Sequence, residues 1–397
     1  MAAGQNAVMQ APAAAPSTSE GDGQAPAQQA QSVVPFVRGS GKGKYKFFSK
    51  SGLTLTTATQ DLGPIDIKAY DYMRSLLVTV ATTGAGGATG TAQADGPFNI
   101  FTNMAVKQPN GQTMYQVSSG YNAAMIQKYG YARLYADPRA DPNFLVNGSN
   151  ATFAVRIPFE LDLRDALGAL PNKDAAAPFT LELTLNTLTN VFGSGQGTSP
   201  TLTVEAWLEA YDQPPTSLGG QPVQTTPPNM NTLQRWTEQN ITMSTGQFDA
   251  RVRKLGNYLR LLIPIMKNSS NARIVTNGWA DPVQIVLDED VKDNISQADW
   301  TRRIWEQYGY GGVMPGTAAT GGTSSTIVVA IDTPGGQDTG VWPIPYFMDG
   351  RDITENVNFY LPTIESEDYL LRGSWGSAVS KMTMLVGEVL PQGDIFS

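Results

Sequence analysis

The sequence predicts an all-β chain of two successive β-rich units, residues 44–213 and 230–397, each carrying short inserted helices. Three observations lead there. The apolar runs are short, rich in β-branched and aromatic residues, and bounded by Gly, Pro, Asp or Asn, as strands are. A polar, aperiodic run from Pro214-Pro215 to Pro227-Pro228 separates two series of such runs and reads as a linker, 214–229. Tyr129-Gly130-Tyr131 ends the main helical pattern of the first unit and Tyr308-Gly309-Tyr310 that of the second. The echo fits duplication, although glycine just past a helix also has a local cause.

Residues 1–34 are almost entirely Ala, Gln, Pro, Gly and Ser, with only Glu20 and Asp22 charged. Such a segment buries too little apolar surface to offset its ordering entropy, so residues 1–43 are expected to form a flexible arm. A basic stretch follows, with Arg38, Lys42, Lys44, Lys46 and Lys50 interleaved with Phe36, Tyr45, Phe47 and Phe48. It has two readings: an arm reaching an acidic partner such as lipid headgroups or a neighbouring subunit, or an edge strand whose outward lysines guard against aggregation.

Strands are expected at Tyr45–Phe48, Ile65–Tyr70, Arg74–Ala81, Ile100–Val106, Thr152–Pro158, Phe179–Leu185 and Leu202–Tyr211. Asn110-Gly111 between Pro109 and Gln112 supplies the positive φ values of a tight hairpin. Glycine-rich loops at Gly84–Gly90 and Gly193–Gly197 connect other strands. Helices are expected at Tyr121–Tyr129, from its i, i+3, i+4, i+8 apolar spacing, and at Asp162–Leu170, stopped by Pro171. The second unit repeats the pattern, with strands at Asn240–Ser244, Tyr258–Met266, Pro282–Leu287, Ile327–Ile331, Val341–Tyr346, Asn356–Leu361 and Ser377–Val389 and a helix at Gln297–Tyr308. Trp300 and Trp305 in that helix are both assigned to the core.

Composition removes much chemistry. The 397 residues include no cysteine and no histidine, which excludes disulfides, thiol nucleophiles, Ser-His-Asp triads and Cys/His metal sites. No cofactor or metal is expected. The acidic cluster Asp288-Glu289-Asp290…Asp293 fails the calcium-loop pattern, because Asp293 stands where glycine is needed and Asp299 where a bidentate Glu is needed. It reads as a solvated loop leading into the helix, with Ser296 or a nearby Asp as N-cap. Gly39-Ser40-Gly41-Lys42-Gly43-Lys44 has the wrong spacing for a phosphate loop. A two-carboxylate glycosidase remains chemically open, but no signature selects two of the 35 acidic residues.

The net charge of -8 argues against nucleic acid as the main partner, and no specific nucleic-acid binding is expected. Charged residues make up only 16% of the chain, which suits a surface largely covered by other subunits, or one rich in Thr, Asn, Gln and Ser. No apolar run reaches the roughly 18 residues of a membrane span, and no secretory signal is expected. Sequons at Asn147, Asn150, Asn240, Asn268 and Asn294 read as by-products of polar loops.

Several segments, taken in order, resemble the double jelly-roll major capsid proteins of tailless, internal-membrane (tectivirus-like) bacteriophages. They are Phe98-Asn99-Ile100-Phe101 leading through the 109–112 turn to Ser118-Ser119-Gly120-Tyr121, then Val155-Arg156-Ile157-Pro158-Phe159 with the 162–171 element, and Phe179–Asn186. Tyr211-Asp212-Gln213-Pro214 resembles that family's passage between rolls, and Trp300-Thr301-Arg302-Arg303-Ile304 its aromatic-plus-arginine helix. The resemblance implies two eight-stranded jelly rolls and a non-enzymatic virion protein made in the host cytoplasm. Its copies would form homotrimers of near-sixfold outline that tile an icosahedral shell around an internal membrane. Partners would be further copies, the membrane, and vertex or cement proteins, with Arg38, Lys42, Lys44, Lys46 and Lys50 facing membrane or neighbour. The alternatives are a minor vertex or spike protein, a carbohydrate-binding jelly roll and, third, a carboxylate-dependent hydrolase.

Overall fold

A computed structural model describes residues 33–83, 95–131, 151–192, 199–228, 230, 232–253, 256–274, 279–310, 336–346 and 360–390. The first half carries β1 (Lys42–Thr54), β2 (Gln60–Asp66), β3 (Tyr72–Thr83), β4 (Phe101–Lys107), β5 (Thr113–Val117), β6 (Ala151–Pro158), the short β7 (Leu170–Pro171), β8 (Thr180–Leu185) and β9 (Thr201–Tyr211). Its helices are α1 (Phe36–Gly39), α2 (Gly120–Gly130) and α3 (Leu188–Val191). One sheet runs β1-β9-β3-β6, with β7 beside β3, and β2-β8-β4-β5 lie in order in another. Setting β7 aside, the first strand pairs with the last, the second with the seventh, the third with the sixth and the fourth with the fifth. That winding is a jelly roll.

After the small hairpin β10 (Ser217–Leu218) and β11 (Gln221–Pro222), the second half repeats it. It contains β12 (Leu233–Thr242), β13 (Gly246–Val252), β14 (Tyr258–Lys267), β15 (Val283–Leu287), β16 (Asp290–Ile295), α4 (Gln297–Tyr308), β17 (Ile344–Pro345), β18 (Leu361–Pro362), β19 (Tyr369–Trp375) and β20 (Lys381–Leu390). The sheets are β12-β20-β14, with β17 and β18 sharing the edge, and β13-β19-β15-β16. This is the same winding, with its sixth strand in two pieces. α2 and α4 both follow the fifth strand of their roll, so the Tyr-Gly-Tyr echo marks one topological position twice.

The rolls share a sheet. Trp236 of β12 pairs in parallel with Tyr115 of β5, which joins β2-β8-β4-β5 to β12-β20-β14 in one nine-stranded sheet. α2 lies over that joint, touching β6 of its own roll and β14 and β20 of the other, and all its residues are buried. With both faces covered, β14 and β20 are buried nearly end to end, which explains the nearly continuous apolar runs Tyr258–Met266, interrupted by Arg260, and Met382–Val386, interrupted by Thr383.

Some expectations are corrected. Asp162–Leu170 is no helix but a tight loop closed by an Asp162–Leu167 bridge. Asp162 Oδ1 accepts from Arg164 N and Asp165 Oδ1 from Leu167 N, at 2.8 and 2.9 Å, so side chains take donors that a helix would direct to carbonyls. Ala166 and Gly168 take positive φ, 68° and 85°. The strand expected at Ile65–Tyr70 is Gln60–Asp66, carried past Gly63 (φ 79°) by a register shift. The one expected at Asn240–Ser244 begins at Leu233, because Gln234, Arg235 and Glu238 meet polar partners that mask the strand pattern.

Only β17 and a Val341–Ile265 bridge form within Val341–Tyr346, where Pro343 and Pro345 have no N–H to give a ladder. The Gly376–Val379 turn delays the last strand to Lys381. The acidic cluster is a hairpin rather than a loop into the helix: Asp288 (φ 48°) and Glu289 (φ 72°) form its turn, and Asp290–Ile295 is β16. Ser296 is the N-cap, accepting from Asp299 N at 3.1 Å. Ile327–Ile331, the glycine loops 84–90 and 193–197, residues 1–32, Asn147 and Asn150 lie outside the described residues.

On the outer face of the first sheet, the Arg156 guanidinium is bonded to Glu209, whose carboxylate also accepts from Ser75 at 2.9 Å. Burial pushes the Glu209 carboxyl up, but Arg156 and Ser75 together hold it below its ordinary value of 4.5. The folded carboxyl therefore ionises more readily than the unfolded one. Its stabilising contribution is complete above about pH 4.5 and is lost as pH falls through the lower folded value. Glu209→Gln is accordingly expected to lower the melting temperature near neutrality, with the gap to wild type narrowing as pH is lowered below about 4.5 in a thermal-unfolding series. A constant gap across that range would contradict the assignment.

Candidate assembly surfaces

The junction between the rolls is built by the repeated triplets. Tyr308 donates to Tyr129 O at 2.9 Å and Tyr310 to Lys128 O at 3.2 Å, so the second triplet caps carbonyls in the last turn of α2. The Tyr129 ring meets Tyr308 and Tyr310 edge-on at 5.5 and 5.7 Å. Behind them, Lys128 Nζ reaches Asp338 Oδ2 at 2.6 Å and Gly336 O at 2.7 Å, and Tyr129 donates to the same Asp338 oxygen at 2.9 Å. Burial and the Asp338 carboxylate push the Tyr129 hydroxyl well above its ordinary range, so it remains a donor. Arg260 of β14 is bonded to Gly130 O and to Gln234, closing the contact from the second roll. The echo was visible in sequence; that its two copies touch was not.

The basic stretch is distributed along the arm's root and the free edge of β1. Val34 bridges Val223 in the 214–228 run, and Phe36 is buried edge-on between Tyr72 (5.1 Å) and Tyr211 (5.5 Å). Residues 33–41 are thus fastened to the linker end of the first roll. Lys42, Lys44 and Lys46 alternate along β1 and share its outer face. Lys44 and Lys46 stand over the Trp207 ring at 5.0 and 5.3 Å, and Lys46 pairs with Glu205 at 3.1 Å. A bulge after Lys46 shifts the register so that Lys50 pairs with Val204, on the other side of the strand, and Arg38 sits on α1. The structure brings together three of the five basic residues and leaves two apart.

On α4, Trp300 is buried and donates to Pro343 O at 2.9 Å, whereas Trp305 is 61% exposed. The core assignment of Trp305 is corrected: five residues of helix turn it away from Trp300. Asp299, Arg302, Arg303, Glu306 and Asp293 form an ion-pair chain beside Trp305. The interior of the second roll keeps a cavity of about 250 Å³ under α4, between Trp300, Ile304, Tyr346 and Tyr369. Among the described residues no three carboxylates gather to hold a metal ion, and no helix is long and apolar enough to cross a membrane.

No protein-family model and no curated protein matches the sequence. Solved structures do match. The chain is similar to the major capsid protein P2 from bacteriophage PM2, with TM-score 0.50 and 10% identity over 89% of this chain and 99% of that one. It is similar to the PBCV-1 virus capsid protein, with TM-score 0.58 and 10% identity over 88% and 93%. A third likeness is to the major capsid protein of STIV, Sulfolobus turreted icosahedral virus, with TM-score 0.53 and 13% identity over 88% and 97%. What is shared is the fold, a double jelly roll spanning nearly the whole of each chain.

Proposed function

We propose, starting from a double jelly-roll fold held in common with the capsid proteins of PM2, PBCV-1 and STIV, that this chain is a major capsid protein that builds an icosahedral virion shell. The observation that carries the reading is the end-to-end match, two rolls of identical winding with little of either chain left over. Because a fold alone does not assign a role, the surfaces must also suit one. Two rolls side by side on one continuous sheet make a subunit with two similar bodies, so three subunits give a ring of six and a closed trimer. Few charges need burial when such walls meet. The role is structural, not enzymatic.

The arm supports a placement. Val34 and Phe36 dock beside the linker, next to the face bearing Lys42, Lys44 and Lys46. In the shell this end faces inward, toward the anionic headgroups of an internal membrane or a neighbouring copy. The native mass of the purified protein should be three times 42.6 kDa. Deleting residues 1–32 should preserve that trimer while particle yield falls at least tenfold. A monomeric native mass would reject the capsomer reading; normal particles from the truncated chain would reject the role of the arm.

A further inference from the structure

At the end of the molecule away from the linker, the two rolls line a half-open polar cavity of about 510 Å³. Phe101 and Thr102 of β4, Asn186 after β8 and Ser118 and Ser119 before α2 line it from the first roll; Lys267, Arg273 and Lys381 line it from the second. Lys267, the last residue of β14, is only 7% exposed and borders this space. Its ammonium makes no hydrogen bond or ion pair among the described residues. The neighbouring charges have their own partners. Arg273 holds Asp95 at 2.6 Å and Thr339 O at 2.8 Å, and Lys381 reaches Asn271 at 3.3 Å. Glu238, behind the wall, accepts from Ser118 N, Ser118 Oγ and Asn122.

A buried ammonium without a counter-charge is unfavourable, and burial accordingly pulls the Lys267 amine below its ordinary range, only partly opposed by Asp95 and Glu238. The lining carries three cations against the single carboxylate of Asp95, and hydroxyl and amide groups stand around them. Donors and positive charge thus converge on a space that lacks a matching anion.

We propose that this inter-roll cavity binds a small tetrahedral oxyanion of the phosphate class, with Lys267 as its main ligand and Lys381 and Arg273 at its flanks. Because both rolls contribute, the anion clasps them together and stabilises the folded chain by mass action.

The test uses the full-length protein at neutral pH, independently of shell formation. Thermal unfolding is followed with inorganic phosphate and with chloride at matched ionic strength, and acetylation of individual lysines is measured by peptide mass spectrometry. Phosphate should raise the melting temperature by several degrees and slow acetylation of Lys267 severalfold, while exposed Lys50 and Lys292 react unchanged. Lys267→Met should abolish the phosphate-specific rise and Lys381→Gln should reduce it. Equal melting in the two salts with unprotected Lys267, or an undiminished rise in Lys267→Met, overturns the site. If Lys267→Met does not fold, protection in the wild-type chain decides. Protection by phosphatidylglycerol vesicles in chloride would assign the phosphate to a lipid headgroup; protection by the free ion alone would assign it to solution.

Discussion

Asp338→Ala is expected to destabilise the protein by about 3–5 kcal/mol, the usual cost of removing one partner from a buried ion pair. The Asp338 side chain is fully buried and that of Lys128 is 10% exposed, so neither is screened by water. The carboxylate receives both the Lys128 ammonium, at 2.6 Å, and the Tyr129 hydroxyl. Without it, the Lys128 ammonium still meets Gly336 O at 2.7 Å and the Tyr129 and Tyr310 rings, but an uncompensated charge remains in a site built for a neutral pair. Because Lys128 and Tyr129 lie on α2 of the first roll and Asp338 in the second, the loss falls on the joint between them. Urea denaturation should show a lowered midpoint, with the single transition separating toward two as the rolls lose their coupling. Lys128→Met combined with Asp338→Leu removes both charges and is expected to recover most of the loss. Retention of wild-type stability by Asp338→Ala would show that the pair does not bind the rolls together.

Much of the strand order was legible because turn residues and β-branched runs are local signals. Arg74–Ala81, Thr152–Pro158 and Leu202–Tyr211 fall within or on β3, β6 and β9, and Gln297–Tyr308 is α4 to the residue. The sheet β13-β19-β15-β16 was read poorly for a physical reason. Its outer face carries ion pairs such as Asp249–Arg372 and Arg251–Asp368, which break the apolar pattern and are explained only by the cross-strand neighbour. The 162–170 loop has helical spacing, yet Asp162 and Asp165 cap their own turns. The Tyr-Gly-Tyr echo was readable as repetition, but contact between residues 179 positions apart is a tertiary fact. Lys267 had no signal at all. A lysine ending an apolar strand looks like an ordinary solvated terminus until a second roll covers it.

The same joint makes a second demand, on shape rather than charge. Trp236 is 1% exposed, and its ring lies in a slot between two glycines, Gly130 at the end of α2 and Gly387, its register partner on β20. A Cβ on Gly387 would stand 2.5–2.8 Å from three atoms of that ring, and one on Gly130 2.9 Å from its nearest atom. Trp236→Ala is expected to cost about 3–5 kcal/mol, since it empties a slot that rigid strands on both sides cannot close. Gly387→Ala is expected to cost about 1–3 kcal/mol by overpacking. If both effects arise from one slot they must not add. Gly387→Ala should cost little in a Trp236→Ala background and less in Trp236→Phe than in wild type, because the indole N–H makes no hydrogen bond among the described residues that phenylalanine would lose. Urea midpoints for the four proteins of the cycle measure this, with a coupling of at least about 1 kcal/mol expected; additive costs would place the strain elsewhere. Since Trp236 is also where β12 meets Tyr115 of β5, the slot keeps the nine-stranded sheet continuous. If the chain builds the shell proposed for it, a subunit destabilised there should lose shell yield more steeply than one destabilised equally at Glu209, which lies within the first roll alone.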